Sequence, residues 1–144
     1  MENEDIYLEA IYQIIRTGHW ITDQVNCELK DFGISEPQFN VLRILRGSKG
    51  KPITVREIQG RMVQRSSNVT RIIDKLLEKG LVSRKECASN RRKMDINITK
   101  QGEALLVKLD RKVKAFHEPM AKNLTEPEAR KLANLILKLK GDRK

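Results

Sequence analysis

From residue 6 to 32 the apolar positions Ile6, Ile11, Ile14, Ile15, Ile21, Val25, Leu29 and Phe32 recur at mostly helical spacings. This predicts one long amphipathic helix, or two helices bent near Gly18. Ser35-Glu36-Pro37-Gln38 then has the form of a capping box, in which the hydroxyl takes an orphan amide proton, the glutamine reaches back and proline fits an early helical position. A second helix starts there, with Phe39, Leu42, Ile44 and Leu45 as its apolar face and a break from Gly47 to Pro52. Thr54-Val55-Arg56-Glu57 repeats the box and opens a short helix of about ten residues, with Val55, Ile58 and Met62 turned inward.

Ser66-Ser67-Asn68 is a cluster suited to helix N-caps. It precedes Val69, Ile72, Ile73, Leu76 and Leu77, whose spacings put all five on one buried stripe up to Gly80, a C-capping residue. Two short helices joined by a tight turn make a helix-turn-helix pattern. The period then changes. Leu81 and Val82 suit a strand, Ala88 to Lys93 form a polar tip, and Met94, Ile96 and Ile98 alternate with Asp95 and Asn97, which predicts a β-hairpin placed as a wing. Thr99 caps a fifth helix through Leu105, Leu109, Val113, Phe116 and Met120, close to a heptad seam. Thr125-Glu126-Pro127-Glu128 is a third capping box and leads to Leu132, Leu135, Ile136 and Leu139. The expected fold is mainly α with a small β-hairpin wing: a winged helix-turn-helix lobe over 35–99, flanked by dimerisation helices over 1–34 and 100–144. The whole chain, 1–144, reads as one domain.

Composition narrows the function. The chain carries a net charge of +10, and the placement of that charge matters more than its size. Residues 1–52 hold six Lys/Arg against eight Asp/Glu, residues 53–100 hold twelve against five, and residues 101–144 hold eleven against six. A basic cluster inside the helix-turn-helix region is what phosphate neutralisation requires, although a solvated face has the same composition. Cys27 and Cys87 are far apart with no metal-ligand spacing, and only His19 and His117 offer imidazoles, so no disulfide framework, metal site or cofactor is implied. A redox role for Cys87, which has Arg84, Lys85, Arg91 and Arg92 nearby in sequence, is a minor option. No nucleophile motif is present, so an enzyme is the weakest class. No apolar run approaches the roughly 20 residues of a membrane span, and the N-terminus is acidic. A cytoplasmic protein with no membrane partner is expected.

The order of elements, with Ser67-Asn68-Val69-Thr70-Arg71 and Asp74-Lys75-Leu76-Leu77-Glu78-Lys79-Gly80-Leu81-Val82, resembles the MarR family of bacterial regulators. Asn90-Arg91-Arg92 followed by Ile98-Thr99-Lys100-Gln101-Gly102 resembles that family's Asp-x-Arg wing signature and the Leu-Thr-x-x-Gly after it. The resemblance implies a sequence-specific double-stranded DNA-binding regulator of transcription. It would be a ligand-responsive repressor working as a homodimer, with an effector pocket between the dimer helices and the DNA-binding lobe. One position departs from the pattern: Asn90 stands where the family usually has an acid. Asparagine can hydrogen-bond a guanidinium but cannot neutralise it, so the wing is expected to be less fixed in orientation.

With the buried stripe of the fourth helix removed, Ser67, Asn68, Thr70, Arg71, Asp74, Lys75 and Glu78 remain outward. Asn68 and Arg71 are the expected base readers, since asparagine pairs bidentately with adenine and arginine with guanine. Ser66, Ser67 and Thr70 are expected on phosphates, the two serines equally well as caps, and Lys75 completes the basic face. Asn90, Arg91, Arg92 and Lys93 are the wing candidates for the minor groove or flanking phosphates. Tyr12, Arg16, His19 and Trp20 are pocket candidates for a small aromatic or anionic effector, with ordinary packing as the plainer reading. The terminal helices present more apolar stripe than the central lobe can cover, which makes a second copy the expected partner and a pseudo-palindromic operator the expected target. The competing classes are a non-specific architectural DNA binder and a winged-helix module that binds proteins.

Overall fold

The computed structural model describes residues 2–142. Met1 and residues 143–144, the extreme ends of the expected single unit, lie outside the described residues. Six helices and three short strands follow the order α1 (Glu2–Lys30), α2 (Glu36–Gly47), β1 (Ile53–Thr54), α3 (Val55–Arg61), α4 (Val69–Glu78), β2 (Val82–Cys87), β3 (Asn90–Ile98), α5 (Lys100–Ala121) and α6 (Glu126–Lys140). The wing is therefore part of a three-stranded antiparallel sheet in the order β1-β3-β2, where the sequence pattern gave only a hairpin. β1 was hidden because it is two residues long and pairs only Ile53 with Ile96 and Thr54 with Asp95.

α1 runs through Gly18 without a break, so the bent alternative falls away. All three expected capping boxes form. Ser35, Thr54 and Thr125 each accept from the amide of the residue three places on, and Gln38, Glu57 and Glu128 reach back to the cap amides. α3 is shorter than expected, seven residues. It stops because Met62 turns to an extended conformation that drops its side chain into the core, and the next amide, that of Val63, donates to Asn40 Oδ1 at 2.9 Å.

α2 is the central post, touching α1, α3, α4, α5 and β3. That surround explains why Val41, off the expected apolar face, is as buried as Leu42. α5 likewise buries Leu106 beside the expected Leu109 and Val113. The N-terminus of α5 closes on the end of α4: Thr99 Oγ1 donates to the Gly80 carbonyl at 2.7 Å and the Thr99 amide to the Leu81 carbonyl at 3.1 Å. Gly102 is required by this approach, since a Cβ there would lie 2.2 Å from the Leu81 carbonyl oxygen.

The two ends of the chain contrast with this core. No residue of α6 is buried, and α1 is exposed on every side from Glu4 to Trp20. Among the described residues no helix is long and apolar enough to cross a membrane.

Candidate nucleic-acid interface

The turn between α3 and α4 is held from both sides. Asn40 of α2 accepts from the Val63 amide, and Gln59 Nε2 donates to the Arg65 carbonyl at 2.6 Å. From this fixed turn α4 starts at Asn68, whose Oδ1 accepts from the Arg71 amide at 3.2 Å. Burial of Val69, Ile73 and Leu76, with Ile72 and Leu77 half-buried, leaves Thr70, Arg71, Asp74, Lys75 and Glu78 in solvent. Their spacing of one and four residues draws them into one outward stripe along the helix.

The capping role falls to Asn68, whose Oδ1 takes the Arg71 amide proton and keeps a second lone pair and the Nδ2 group for any further contact. Ser66 and Ser67 are thereby released from the capping role. Ser66 is exposed, Ser67 half-buried, and the Ser67 amide donates to the Gln64 carbonyl at 3.1 Å. Arg71 keeps a free head group: Asp74, three residues further along the helix, bonds to Arg84 at 3.1 Å, and no carboxylate pairs with Arg71 among the described residues. Lys75 lies 3.7 Å from Glu78, an exposed pair too weak to hold it.

Ser66, Ser67, Asn68, Arg71 and Lys75 share an open groove of about 480 Å³ with Gln64, Ser35, Pro37, Gln38 and Ile72. The contribution of α2 was not anticipated, because Ser35 to Gln38 read as a cap and nothing in a local pattern tells where a cap points in space. No acid lines this groove, and its two charges are both positive.

On the wing, the turn is confined to Ala88 and Ser89, shorter than the expected tip. Asn90 pairs with Cys87 and Met94 with Glu86, so residues 91–93 bulge from the ladder. Arg91, Arg92 and Lys93 are all exposed in this bulge. Asn90 Oδ1 accepts from the Arg92 backbone amide at 3.0 Å. It orders the bulge backbone and leaves the guanidinium unheld, unlike the side-chain pairing considered for it. The carboxyl of Glu57 lies below its ordinary value of 4.5, first because the Thr54 backbone N–H bonds it and, more weakly, because Arg61 and Lys93 attract the charged form. Lys93 of the bulge thus sits in the field of the first turn of α3.

Tyr12, Arg16, His19 and Trp20 are all exposed on α1, on the side opposite the residues of that helix that line a concavity. Trp20 instead packs its ring 5.9 Å from that of Phe116 on α5, and Phe116 in turn lies 5.4 Å from His117. The concavity, about 710 Å³, runs between α1 (Ala10, Gln13, Ile14, Thr17, Gly18, Ile21) and α6 (Leu132, Leu135, Ile136, Leu139). A helical wheel separates the two sets by roughly half a turn, a phase that a list of aromatic and charged residues on one helix does not reveal. Cys27 and Cys87 are both free thiols; Cys87 Sγ lies 3.2 Å from Ser89 Oγ. Among the described residues no group of His, Cys, Asp and Glu is placed to hold a metal.

Comparison with known proteins agrees with this geometry. Residues 34–94 match the MarR family profile. The chain is 26% identical over 131 residues to the HTH-type transcriptional repressor Rv2887 of Mycobacterium tuberculosis, covering 91% of this chain and 93% of the relative. It is 28% identical over 126 residues to the uncharacterized HTH-type transcriptional regulator YwoH of Bacillus subtilis, covering 88% and 90%. Among solved structures, a cysteine-to-serine mutant of MarR from E. coli complexed with operator DNA superposes with a TM-score of 0.78 at 27% identity, over 95% of this chain and 96% of that one. A MarR-like protein of Bacillus cereus shares the fold with a TM-score of 0.82 at 24% identity, over 96% and 99%.

Proposed function

We propose that this chain, a winged helix-turn-helix protein whose residues 34–94 match the MarR family, is a sequence-specific, double-stranded DNA-binding repressor of transcription acting as a homodimer in the cytoplasm. The observation that carries this reading is the exposed stripe of Thr70, Arg71 and Lys75 on a helix whose N-terminal turn is anchored on both sides, together with a basic bulge at residues 91–93 of the wing. α4 enters the major groove. Arg71, with its head group unpaired, reads a guanine, while Ser66, Ser67, Thr70 and Lys75 hold the backbone. A good bidentate arginine contact is worth about 1–3 kcal/mol against a wrong base. Arg91 and Arg92 reach the minor groove or its flanking phosphates.

The exposed apolar faces of α1 and α6 support pairing of two copies. Two-fold symmetry would then set the recognition helices roughly 34–36 Å apart and call for a pseudo-palindromic operator. Repression needs only that the dimer cover a promoter. The test is selection of bound sequences from random duplex DNA at about 150 mM salt, since affinity depends steeply on salt. A pseudo-palindrome that Arg71→Ala relaxes is the expected result. A sequence-blind affinity would overturn the repressor reading in favour of an architectural role, and no affinity at all would favour a protein-binding module.

A further inference from the structure

The outward stripe of α4 is not uniformly basic. Asp74 lies three residues beyond Arg71 and one before Lys75, on the same exposed face, where a bare carboxylate would oppose the approach of a phosphate backbone. It is not bare. Arg84 Nη1 donates to Asp74 Oδ1 at 3.1 Å, across ten residues of sequence and between two elements, with the side chains 42% and 53% exposed. Arg84 stands opposite Ile96 in the β2–β3 ladder, and Ile96 is fully buried. Beyond that pair the ribbon leaves the core, and from Met94 outward to the bulge it is exposed. Arg84 is therefore rooted where the sheet is still anchored, close enough to α4 to reach its charged face. An exposed pair of this kind adds little to folding stability, so its consequence falls on what the face can bind.

Resting on the DNA-binding reading above, we propose that Arg84 is a positioning residue that acts through Asp74: it cancels the carboxylate on the recognition face so that Arg71 and Lys75 meet the phosphates and bases without local repulsion. The alternative role for an arginine at the base of a wing is to hold a phosphate itself. The two roles predict opposite behaviour when both partners are removed.

The experiment is a double-mutant cycle on the full chain, with Arg84→Ala, Asp74→Asn and the double variant, read as affinity for a fixed duplex at one salt concentration. Because phosphate repulsion does not depend on sequence, the cycle works on random-sequence duplex as well as on a selected operator. Arg84→Ala is expected to weaken binding about tenfold by exposing the carboxylate, and Asp74→Asn in that background to restore most of the loss, a coupling of the size found for groups in contact. Melting temperatures across the set are expected to stay together, which separates masking from a fold defect. A double variant as weak as Arg84→Ala would overturn the proposal and make Arg84 a direct phosphate ligand. Failure of the wild type to bind any duplex would overturn the DNA reading itself and this proposal with it. Masking that holds on duplexes without sequence preference would leave the proposal standing and remove only the claim of specificity.

Discussion

The bond from the Arg71 amide to Asn68 Oδ1 makes this residue the helix cap and commits one of the two lone pairs that an adenine contact could use. From sequence, asparagine in a Ser-Ser-Asn run before an apolar stripe suits both jobs, and only the backbone angles of the turn decide which residue is the cap. Asn68→Ser keeps a capping oxygen, so stability and selected DNA sequence should both stay as in the wild type, whereas Asn68→Ala should cost about 1 kcal/mol in a denaturant melt. Loss of an adenine preference at one operator position in Asn68→Ser would return the base-reading role to this residue. Gly102 is a different case of the same limit. Its place after Thr99 was legible as part of a family-like pattern, but the reason for glycine is the Leu81 carbonyl 2.2 Å from where a Cβ would stand. That approach is tertiary and leaves no trace in local spacing. Since backbone cannot swing aside as a side chain does, Gly102→Ala should destabilise by about 1–3 kcal/mol, measured by urea unfolding; an unchanged midpoint would mean that the α5 N-terminus can retreat from β2 freely.

At the scale of elements, what the sequence disclosed were local devices. Ser35, Thr54 and Thr125 formed their boxes because a cap is decided within four residues. The outward side of α4 followed from one buried stripe. Val41, Leu106 and β1 escaped because each is buried or paired by distant parts of the chain that a periodicity cannot include. The boxes also carry a pH signature. Glu57 and Glu128 both sit below their ordinary value of 4.5, mainly through the backbone N–H bonds of Thr54 and Thr125. A folded-state pKa below the unfolded one gives stability that is present above the unfolded pKa and is lost as pH falls through the folded value. The window therefore begins at 4.5 and extends downward. Glutamine keeps the hydrogen-bonding pattern without the titration, so a Glu57→Gln, Glu128→Gln double variant should lose melting temperature less steeply than the wild type between about pH 5 and pH 3. Parallel curves would show that the acids titrate alike in folded and unfolded chains.

For the whole molecule the central question is what holds α6. It has fifteen residues and none of them is buried, while an isolated helix of about 12–15 residues is marginal in water even with favourable composition. Its one capping box cannot supply what packing does not. Leu132, Leu135, Ile136 and Leu139 face a groove shared with Ile14 and Ile21 of α1, and nearer the start of α1 Ile6, Tyr7, Leu8 and Ile11 are 66%, 62%, 49% and 40% exposed. Burying one such side chain contributes about 1.5–3 kcal/mol. Pairing of two copies would bury each of these positions twice, enough to order both helices and to fix the distance between the two copies of α4. Leu135→Glu places a charge in the centre of that face. It should give a single-chain mass by sedimentation at micromolar concentration and less helix by circular dichroism, as α6 loses its support. Affinity for a two-half-site duplex should fall steeply while affinity for one half-site holds, because the core around α2 and α4 does not use α6. If Leu135→Glu remains a dimer, or if the wild type is already a single chain, the spacing argument for a pseudo-palindromic operator fails, and α6 must be ordered by some partner other than its own copy.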